Sequence, residues 1–224
     1  MPGDAAGVAL TGVGVTFPLI TLVAAFTNLF ATGGAPLCAI ARGQGDNKKA
    51  KNIEAQTFTM QILVGLAIMC LLYIVKKPAL YLLGASDITY GYANSYISIY
   101  LIGTVFMMVG TGMNGFINLQ GFPKIGMFST MLGAAVNIVL DPVFIFVLGF
   151  GVWGAAVATV ISQFCSACFV TCFLFGRKVI IHITVADMLK LDFKLLKEIV
   201  TLGMSGFIMA VSYTHLTLPT TPYV

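Results

Sequence analysis

Charged residues are scarce in this sequence. They make up 9% of its 224 residues, whereas soluble globular domains carry roughly 25%. So little charge cannot cover the surface of a water-soluble globule, which excludes the soluble classes of protein. The sequence is instead 58% hydrophobic, with a mean hydropathy of +0.97. This composition predicts an integral membrane protein, in which a net charge of +4 reflects the loops rather than an affinity for nucleic acid.

Residue sets that support catalysis or metal binding are also missing. The five cysteines have no regular spacing, so they do not indicate a disulfide framework. Cys165, Cys168 and Cys172 share one helix face, but a soft metal would need a fourth ligand and packing is the favoured role. His182 is not accompanied by a Ser/His/Asp set, and no Asp-rich cluster suits magnesium. The sequence therefore predicts neither an enzyme nor a metal site nor an organic cofactor.

Long apolar runs dominate the chain. A helix needs about 20 apolar residues to cross the hydrocarbon core, and a sixth run, 199–210, is too short alone. The runs lack the alternating polarity of a membrane barrel, which favours helices. The five complete predicted spans are 8–32, 55–75, 91–113, 125–150 and 152–175.

The distribution of lysine and arginine predicts the orientation. Ten of these residues lie in loops 33–54, 114–124 and 176–198, and the other two are Lys76 and Lys77. Basic loops stay in the cytoplasm, so the three richer loops are predicted to be cytoplasmic, with 176–198 as a connector near the membrane surface. This places Met1 outside, and we therefore expect a preceding span to be missing from the sequence.

Two further stretches need a separate explanation. Residues 110–115, GTGMNG, match a nucleotide-binding pattern but lie at the end of a membrane span, where glycines favour close helix packing. The last fourteen residues, VSYTHLTLPTTPYV (211–224), break the apolar pattern and resemble the translation of a sequencing-library adapter. We interpret them as an artefact; a genuine polar tail is the alternative.

The segment NIVLDPVFIF (137–146) contains the candidate site. An ionised Asp at a helix centre costs about 2.5–3.5 kcal/mol on insertion scales, so an intramembrane acid indicates function unless it only bonds a neighbouring helix. Asn137 lies one turn before Asp141 on the same face. Pro142 removes the donor to the Ile138 carbonyl and predicts a bend. Thr159 on the next span can reach the same depth, and Asn114 only if the third span packs alongside.

Five motifs in order resemble the multidrug and toxin extrusion (MATE) family, in its MepA/DinF-like bacterial branch. The resemblance covers essentially residues 3–210. The motifs are LTGVGVTFPL, GGAPLCAIARGQGD, GFINLQGFPKIGM, NIVLDPVFIF and GVWGAAVATVISQ.

The resemblance implies an all-α polytopic membrane protein, the N-terminal lobe of a twelve-helix transporter without its first helix. Residues 1–175 would form the partial lobe, and 199–210 would begin helix seven. Such transporters export cationic or amphipathic compounds in exchange for H+ or Na+, across the bacterial inner membrane. The family's cation site would comprise Asp141, Asn137, Thr159 and Asn114, and its second acid would lie on the absent helix.

Gly206 departs from the family, which usually has proline there. Two other functions stay open. One is a lipid-linked oligosaccharide flippase of the same superfamily, in which cationic residues in the cleft would hold phosphates; the predicted spans contain none. The other is a structural membrane subunit that transports nothing.

Overall fold

The described part of the chain is almost entirely helical. The computed structural model describes residues 2–176 and 179–217, with side chains over 7–176 and 179–212. These residues contain helices and short connections but no strand, which confirms the predicted all-α class. A π-helical turn, Val143–Val147, follows the seventh helix. The α-helices are α1 (Pro2–Gly14), α2 (Phe17–Gly43), α3 (Asn47–Leu82), α4 (Asp87–Ile102), α5 (Thr104–Gly112), α6 (Asn114–Leu119), α7 (Pro123–Pro142), α8 (Gly151–Leu174), α9 (Val185–Met188) and α10 (Phe193–Thr217).

Five helical segments of the described residues are long and apolar enough to cross a membrane, and a sixth is formed if the bent pair α4 and α5–α6 is one span. Four of the six predicted apolar stretches lie within these segments, whereas 125–150 and 152–175 extend three residues and one residue past the ends of theirs. The stretch 199–210 belongs to a longer span, Phe193–Ser212, because the helix continues through the charged residues before it. Helix α10 also includes 211–217 of the interpreted artefact, whereas 218–224 lie outside the described residues.

The exposed surface of the helices is rich in large apolar side chains. Ile74, Leu82 and Phe146 are 79%, 88% and 80% exposed. Such a surface is unfavourable in water. In lipid it contacts apolar acyl chains, and no hydrogen bond is lost. The chain is therefore a multi-pass membrane protein.

The three basic loops meet at one end of the bundle, which we call the basic end. Arg42, at the end of α2, donates a hydrogen bond to the Leu119 carbonyl at the end of α6. The Gln120 side chain accepts hydrogen bonds from the backbone of Ile181, which lies after α8. The loops predicted to be cytoplasmic thus lie together. Arg177 and Lys178, two of the ten basic residues, lie outside the described residues.

The first predicted span is interrupted, not continuous. Helix α1 ends at Gly14 and α2 begins at Phe17, because Pro18 has no N–H to offer the Gly14 carbonyl and its ring crowds that turn. The Thr16 hydroxyl donates to the Val13 carbonyl at 2.6 Å. The Val13 carbonyl also accepts the Thr16 backbone N–H, so Thr16 bonds back to the end of α1 through two donors.

The third predicted span, 91–113, is also broken. Helices α4 and α5 meet at Gly103, and the two halves of the span are bent by 55°. A Cβ atom at Gly103 would lie 2.6 Å from Gln163 Oε1 on α8, so a larger residue here would displace the Gln163 side chain. Further along, a Cβ atom at Gly110 would lie 3.2 Å from the Ala167 backbone nitrogen. The glycines of GTGMNG therefore serve close helix packing, as predicted.

Helices α2 and α10 cross through backbone contacts. The Gly33 Cα lies against the Ile199 carbonyl, and Gly203 lies against the Leu29 carbonyl, so neither position leaves space for a Cβ atom. Gly206, the departure from the family pattern, packs against the Thr32 side chain. Small residues at such crossings let two backbones approach closely, as in other membrane helix pairs.

We expect Gly203→Ala to destabilise the chain by about 2 kcal/mol, because overpacking a tight contact forces the backbones apart. The measurement is the thermal unfolding midpoint in detergent. Gly91→Ala is the matched control, since Gly91 is helical and nothing lies within 4 Å of its Cβ position. A control that loses as much stability as Gly203→Ala would contradict the packing explanation.

The connector after α8 is docked on the basic end, not free. Val179, Ile181 and Ile183 are buried. Thr59 of α3 donates its hydroxyl hydrogen to the Met188 carbonyl at 3.0 Å. Asp187 forms an ion pair of 2.7 Å with Lys51 of α3 and also accepts the hydrogen bond of the Thr184 hydroxyl. These contacts fix the segment that leads into α10.

The contacts of Asp187 with Lys51 and Thr184 predict that the stability of the chain depends on pH. The hydrogen bonds from Lys51 and Thr184 lower the pKa of Asp187 to about 2, whereas an unfolded aspartate titrates near about 3.9. A lowered pKa contributes stability above the unfolded value and loses it as the pH falls through the folded value. Wild type should therefore unfold at a higher temperature than Asp187→Asn at neutral pH, with the difference shrinking from pH ~4 to pH ~2. A difference that persists unchanged to pH ~2 would contradict this assignment.

Candidate functional site

Asp141 and Asn137 face each other across one turn of α7. The Asn137 amide donates from Nδ2 to Asp141 Oδ1 at 3.3 Å. Both residues are half-buried. The structure thus brings together the two residues that the helical spacing paired. An amide that donates to one carboxylate oxygen leaves the other oxygen available to a further partner.

Two hydroxyl groups from neighbouring helices lie beside this pair. The Thr159 hydroxyl of α8 donates to the Ala155 carbonyl at 2.9 Å, the bond usual for a helical threonine. The Tyr96 phenol of α4 lies near the Thr159 hydroxyl and near Asp141. Helices α4, α7 and α8 therefore converge at Asp141, although Thr159 forms no direct bond to the carboxylate in the described structure.

Tyr96 was not predicted from the sequence. Its ring stacks on Tyr100, one turn further along α4, with centroids 6.1 Å apart. Tyr100 in turn interacts with Gln163 of α8. Two tyrosines one turn apart in an apolar helix are a signal for a polar helix–helix contact, since a buried phenol usually needs a hydrogen-bond partner.

Pro142 marks a change of helix type. The Ile138 carbonyl has no donor at position 142, and the Val143 N–H bonds to Leu140 instead of to the carbonyl four residues back. The chain then continues as the π-helical turn, where the Leu148 N–H donates to the Val143 carbonyl at 2.9 Å. The predicted disturbance of the helix thus takes the form of a π-turn directly after Asp141.

The hairpin that follows depends on glycine. Gly149 and Gly151 have φ of +68° and +55°, a conformation that side chains disfavour. A Cβ atom at Gly154 would lie 2.8 Å from the Phe144 carbonyl oxygen. These glycines bring α8 tightly against the end of α7 and form a tight helical hairpin.

The structure does not bring Asn114 to Asp141. Asn114 begins α6 and donates from Nδ2 to the Ser129 hydroxyl at 2.7 Å. Ser129 lies twelve residues before Asp141, or about 18 Å along a helix. The third span does pack beside the Asp141 site, through Tyr96. The break at Gly103 and the direction of α5, however, place Asn114 near the basic end.

The electrostatic surroundings of Asp141 are sparse. Neither of the two ion pairs among the described residues includes Asp141. The same residues contain no cluster of three or more His, Cys, Asp or Glu side chains that would hold a metal. Cys165, Cys168 and Cys172 are free thiols. Asp141 is thus a single carboxylate among neutral hydrogen-bonding groups.

A second carboxylate, Glu54 of α3, lies fully buried at the basic end. The Gln120 amide donates from Nε2 to both Glu54 oxygens, at 3.1 and 3.2 Å. Gln120 Oε1 accepts the backbone N–H groups of Ile180 and Ile181. Arg42 supplies the nearby positive charge. Sequence reasoning missed this network, whose only signal was a glutamate directly before an apolar run.

Gln120→Leu should destabilise the chain by at least about 2 kcal/mol, because it leaves a buried carboxylate and two backbone donors without partners. The thermal unfolding midpoint in detergent measures this loss. Gln44→Leu is the control, since Gln44 is exposed at the same end. Equal effects of the two substitutions would show that the network has no structural role.

Known proteins of one family match most of the chain. The family model described as MatE matches residues 3–143. The chain is 26% identical over 202 residues to the multidrug export protein MepA of Staphylococcus haemolyticus, covering 90% of this chain and 44% of that protein. It is 24% identical to MepA of Staphylococcus aureus, with 90% and 45% covered. The chain thus spans about half the length of the curated relatives it matches.

Solved structures show the same similarity. An inward-facing multidrug resistance MATE family transporter of the MOP superfamily matches with a TM-score of 0.87 and 27% identity, covering 94% of this chain and 50% of that one. A MOP superfamily transporter from Pyrococcus furiosus, whose binding pocket is described as having reverse polarity, matches with a TM-score of 0.84 and 26% identity. In that case 94% of this chain and 48% of the other are covered.

Proposed function

The chain belongs to the MATE family of transporters, and on that premise we propose that the full-length protein exports cationic or amphipathic compounds in exchange for H+ or Na+. The observation that carries this proposal is the Asp141–Asn137 pair. It places one titratable oxygen pair inside a membrane span, where an ionisable residue usually has a role in transport. The named relatives are multidrug exporters, not enzymes, as expected from the sequence.

Asp141 binds the coupling cation in this proposal. Asn137 donates to the ionised carboxylate, and that bond is exchanged when a proton or Na+ neutralises the charge. Thr159 supplies a hydroxyl oxygen from α8, and we add Tyr96 from α4 because it lies near both Thr159 and Asp141. Asn114 lies too far away to contact the same cation. No organic cofactor or structural metal takes part.

Neutralising Asp141 changes the end of α7. Pro142 and the π-turn give this segment few regular hydrogen bonds, so it rearranges at lower cost than an unbroken helix. Cation binding and drug binding then favour different arrangements of the lobe. Such reciprocal coupling converts a cation gradient into drug export.

The setting follows from the same proposal. The protein lies in the bacterial inner membrane with loops 33–54, 114–124 and 176–198 in the cytoplasm, and its partners are the bilayer and small drugs rather than nucleic acid. A flippase for lipid-linked oligosaccharides would need cationic side chains to hold phosphates, and Asp141 has the opposite charge. A structural subunit would tolerate Asp141→Leu without any change in transport.

The test uses the complete open reading frame that contains this chain, expressed in cells that lack other ethidium exporters. Asp141→Asn should reduce ethidium efflux at least about tenfold, because a neutral amide cannot exchange charge with the gradient and typical couplings are of this size or more. Asp87→Asn, at the exposed start of α4, is the matched control. Wild-type efflux by Asp141→Asn would refute the proposal.

Collapsing either the proton gradient or the sodium gradient in the same cells identifies the coupling cation. Loss of efflux in one case and not in the other assigns it.

A further inference from the structure

A partly open cavity with both polar and apolar lining residues lies between α5, α7 and α8, on the side of Asp141 that leads to the basic end. Its volume is about 210 Å³. Hydroxyl, amide and glycine residues from α7 and α8 form most of its wall, and none of the lining residues is charged: Thr130, Gly133, Ser162, Gln163 and Ser166, together with Thr111 of α5. The remaining lining residues belong to α5 and are apolar or glycine.

The upper end of this cavity adjoins the Asp141 site. Gly133 lies one helical turn below Asn137 and two turns below Asp141 on the same face of α7. On α8, the Ser162 hydroxyl donates to the Thr159 carbonyl at 2.7 Å. The cavity therefore begins within two turns of the carboxylate on both helices.

The lower end continues as a row of hydrogen bonds to the surface. The Ser166 hydroxyl donates to the Ser129 carbonyl at 3.1 Å, and Asn114 donates to the Ser129 hydroxyl. Asn118 donates from Nδ2 to Asn114 Oδ1 at 3.3 Å. Asn118 is exposed at the basic end, so the polar row leads from the cavity to the loop 114–124.

The lining favours water over an empty space. Hydroxyl and amide groups in a cavity wall can hold water, whereas wholly apolar cavities stay dry, and a volume of about 210 Å³ has room for about seven molecules at roughly 30 Å³ each. Tyr100 lies near the Gln163 side chain, but Gln163 Oε1 is buried and forms no hydrogen bond within the described part of the chain. A buried acceptor of this kind costs free energy unless water or a ligand bonds to it.

We propose that the cavity and the row of hydrogen bonds below it form a hydrated path inside the lobe. The coupling cation passes along this path between Asp141 and the cytoplasm. The inference rests on the proposed coupling role of Asp141. Neutral hydroxyl and amide groups solvate a proton or a small cation without trapping it, since no lining side chain carries charge. Asn114, far from Asp141, then serves at the cytoplasmic mouth of the path.

The first test measures access from the cytoplasmic side. The complete reading frame carries alanine in place of Cys38, Cys70, Cys165, Cys168, Cys172 and any cysteine outside these 224 residues, and one new cysteine at a time. Inside-out vesicles are treated with Ag+, a small cation that reacts with thiolate in contact with water, and unreacted thiol is then counted with a dye after denaturation. The test variant is Ser166→Cys, because Ser166 lines the cavity. The control is Ala167→Cys, because Ala167 lies at the same depth in the hydrophobic core.

Ag+ should consume the thiol of Ser166→Cys and leave that of Ala167→Cys intact. Equal protection of both thiols would overturn the hydrated path. This readout requires no transport activity. It therefore stays decisive even if Asp141→Asn shows that the proposed function is wrong.

The second test blocks the path in the transporting protein. Ser166→Leu fills the cavity with an apolar side chain and should slow gradient-driven ethidium efflux at least about tenfold, since apolar constrictions exclude water. Cys168→Leu is the matched control, because Cys168 is exposed on the same helix and does not line the cavity. Equal efflux by the two variants, at equal amounts of folded protein, would overturn the role of the path in coupling.

Discussion

Backbone hydrogen bonding in hydrocarbon is the constraint on which the rest of the structure depends. Lipid offers no partner to an exposed N–H or carbonyl, so a helix can break only where the protein supplies one. The Thr16 hydroxyl does so at the first break, and Gly103 bonds back to Tyr100 at the second. After Pro142 the π-turn takes over. The last two breaks lie near the cavity between α5, α7 and α8, so irregular backbone and polar side chains occur in the same part of the lobe.

Two carboxyl groups in the lobe have different surroundings, and the difference suits a structural role for one and a functional role for the other. Glu54 is fully buried, accepts bonds from Gln120 at both oxygens and lies near Arg42. Its bonds to Gln120 link α3 to the connector, which suits a residue that holds the connector in place. Asp141 is half-buried and accepts one amide bond. The acceptor positions that Asp141 leaves unused can take up a cation.

Local patterns explain which features could be predicted from the sequence. Apolar length predicted the spans, and the helical repeat predicted the pairing of Asn137 with Asp141, since each depends on residues close in the chain. The break at Gly103, the approach of Tyr96 and the depth of Asn114 depend instead on which helices become neighbours. No single-sequence pattern contains that information. The docking of Gln120 on the connector joins residues about sixty positions apart and was missed for the same reason.

The crossing of α2 and α10 has a consequence for biosynthesis. Gly33 and Gly203 are separated by 170 residues, which a ribosome needs on the order of ten to thirty seconds to translate at about 5–20 residues per second. During that interval α2 is already in the membrane and its glycine face has only lipid against it. The backbone contact between α2 and α10 can form only after α10 has been inserted, so α2 must remain in the membrane until then without this partner.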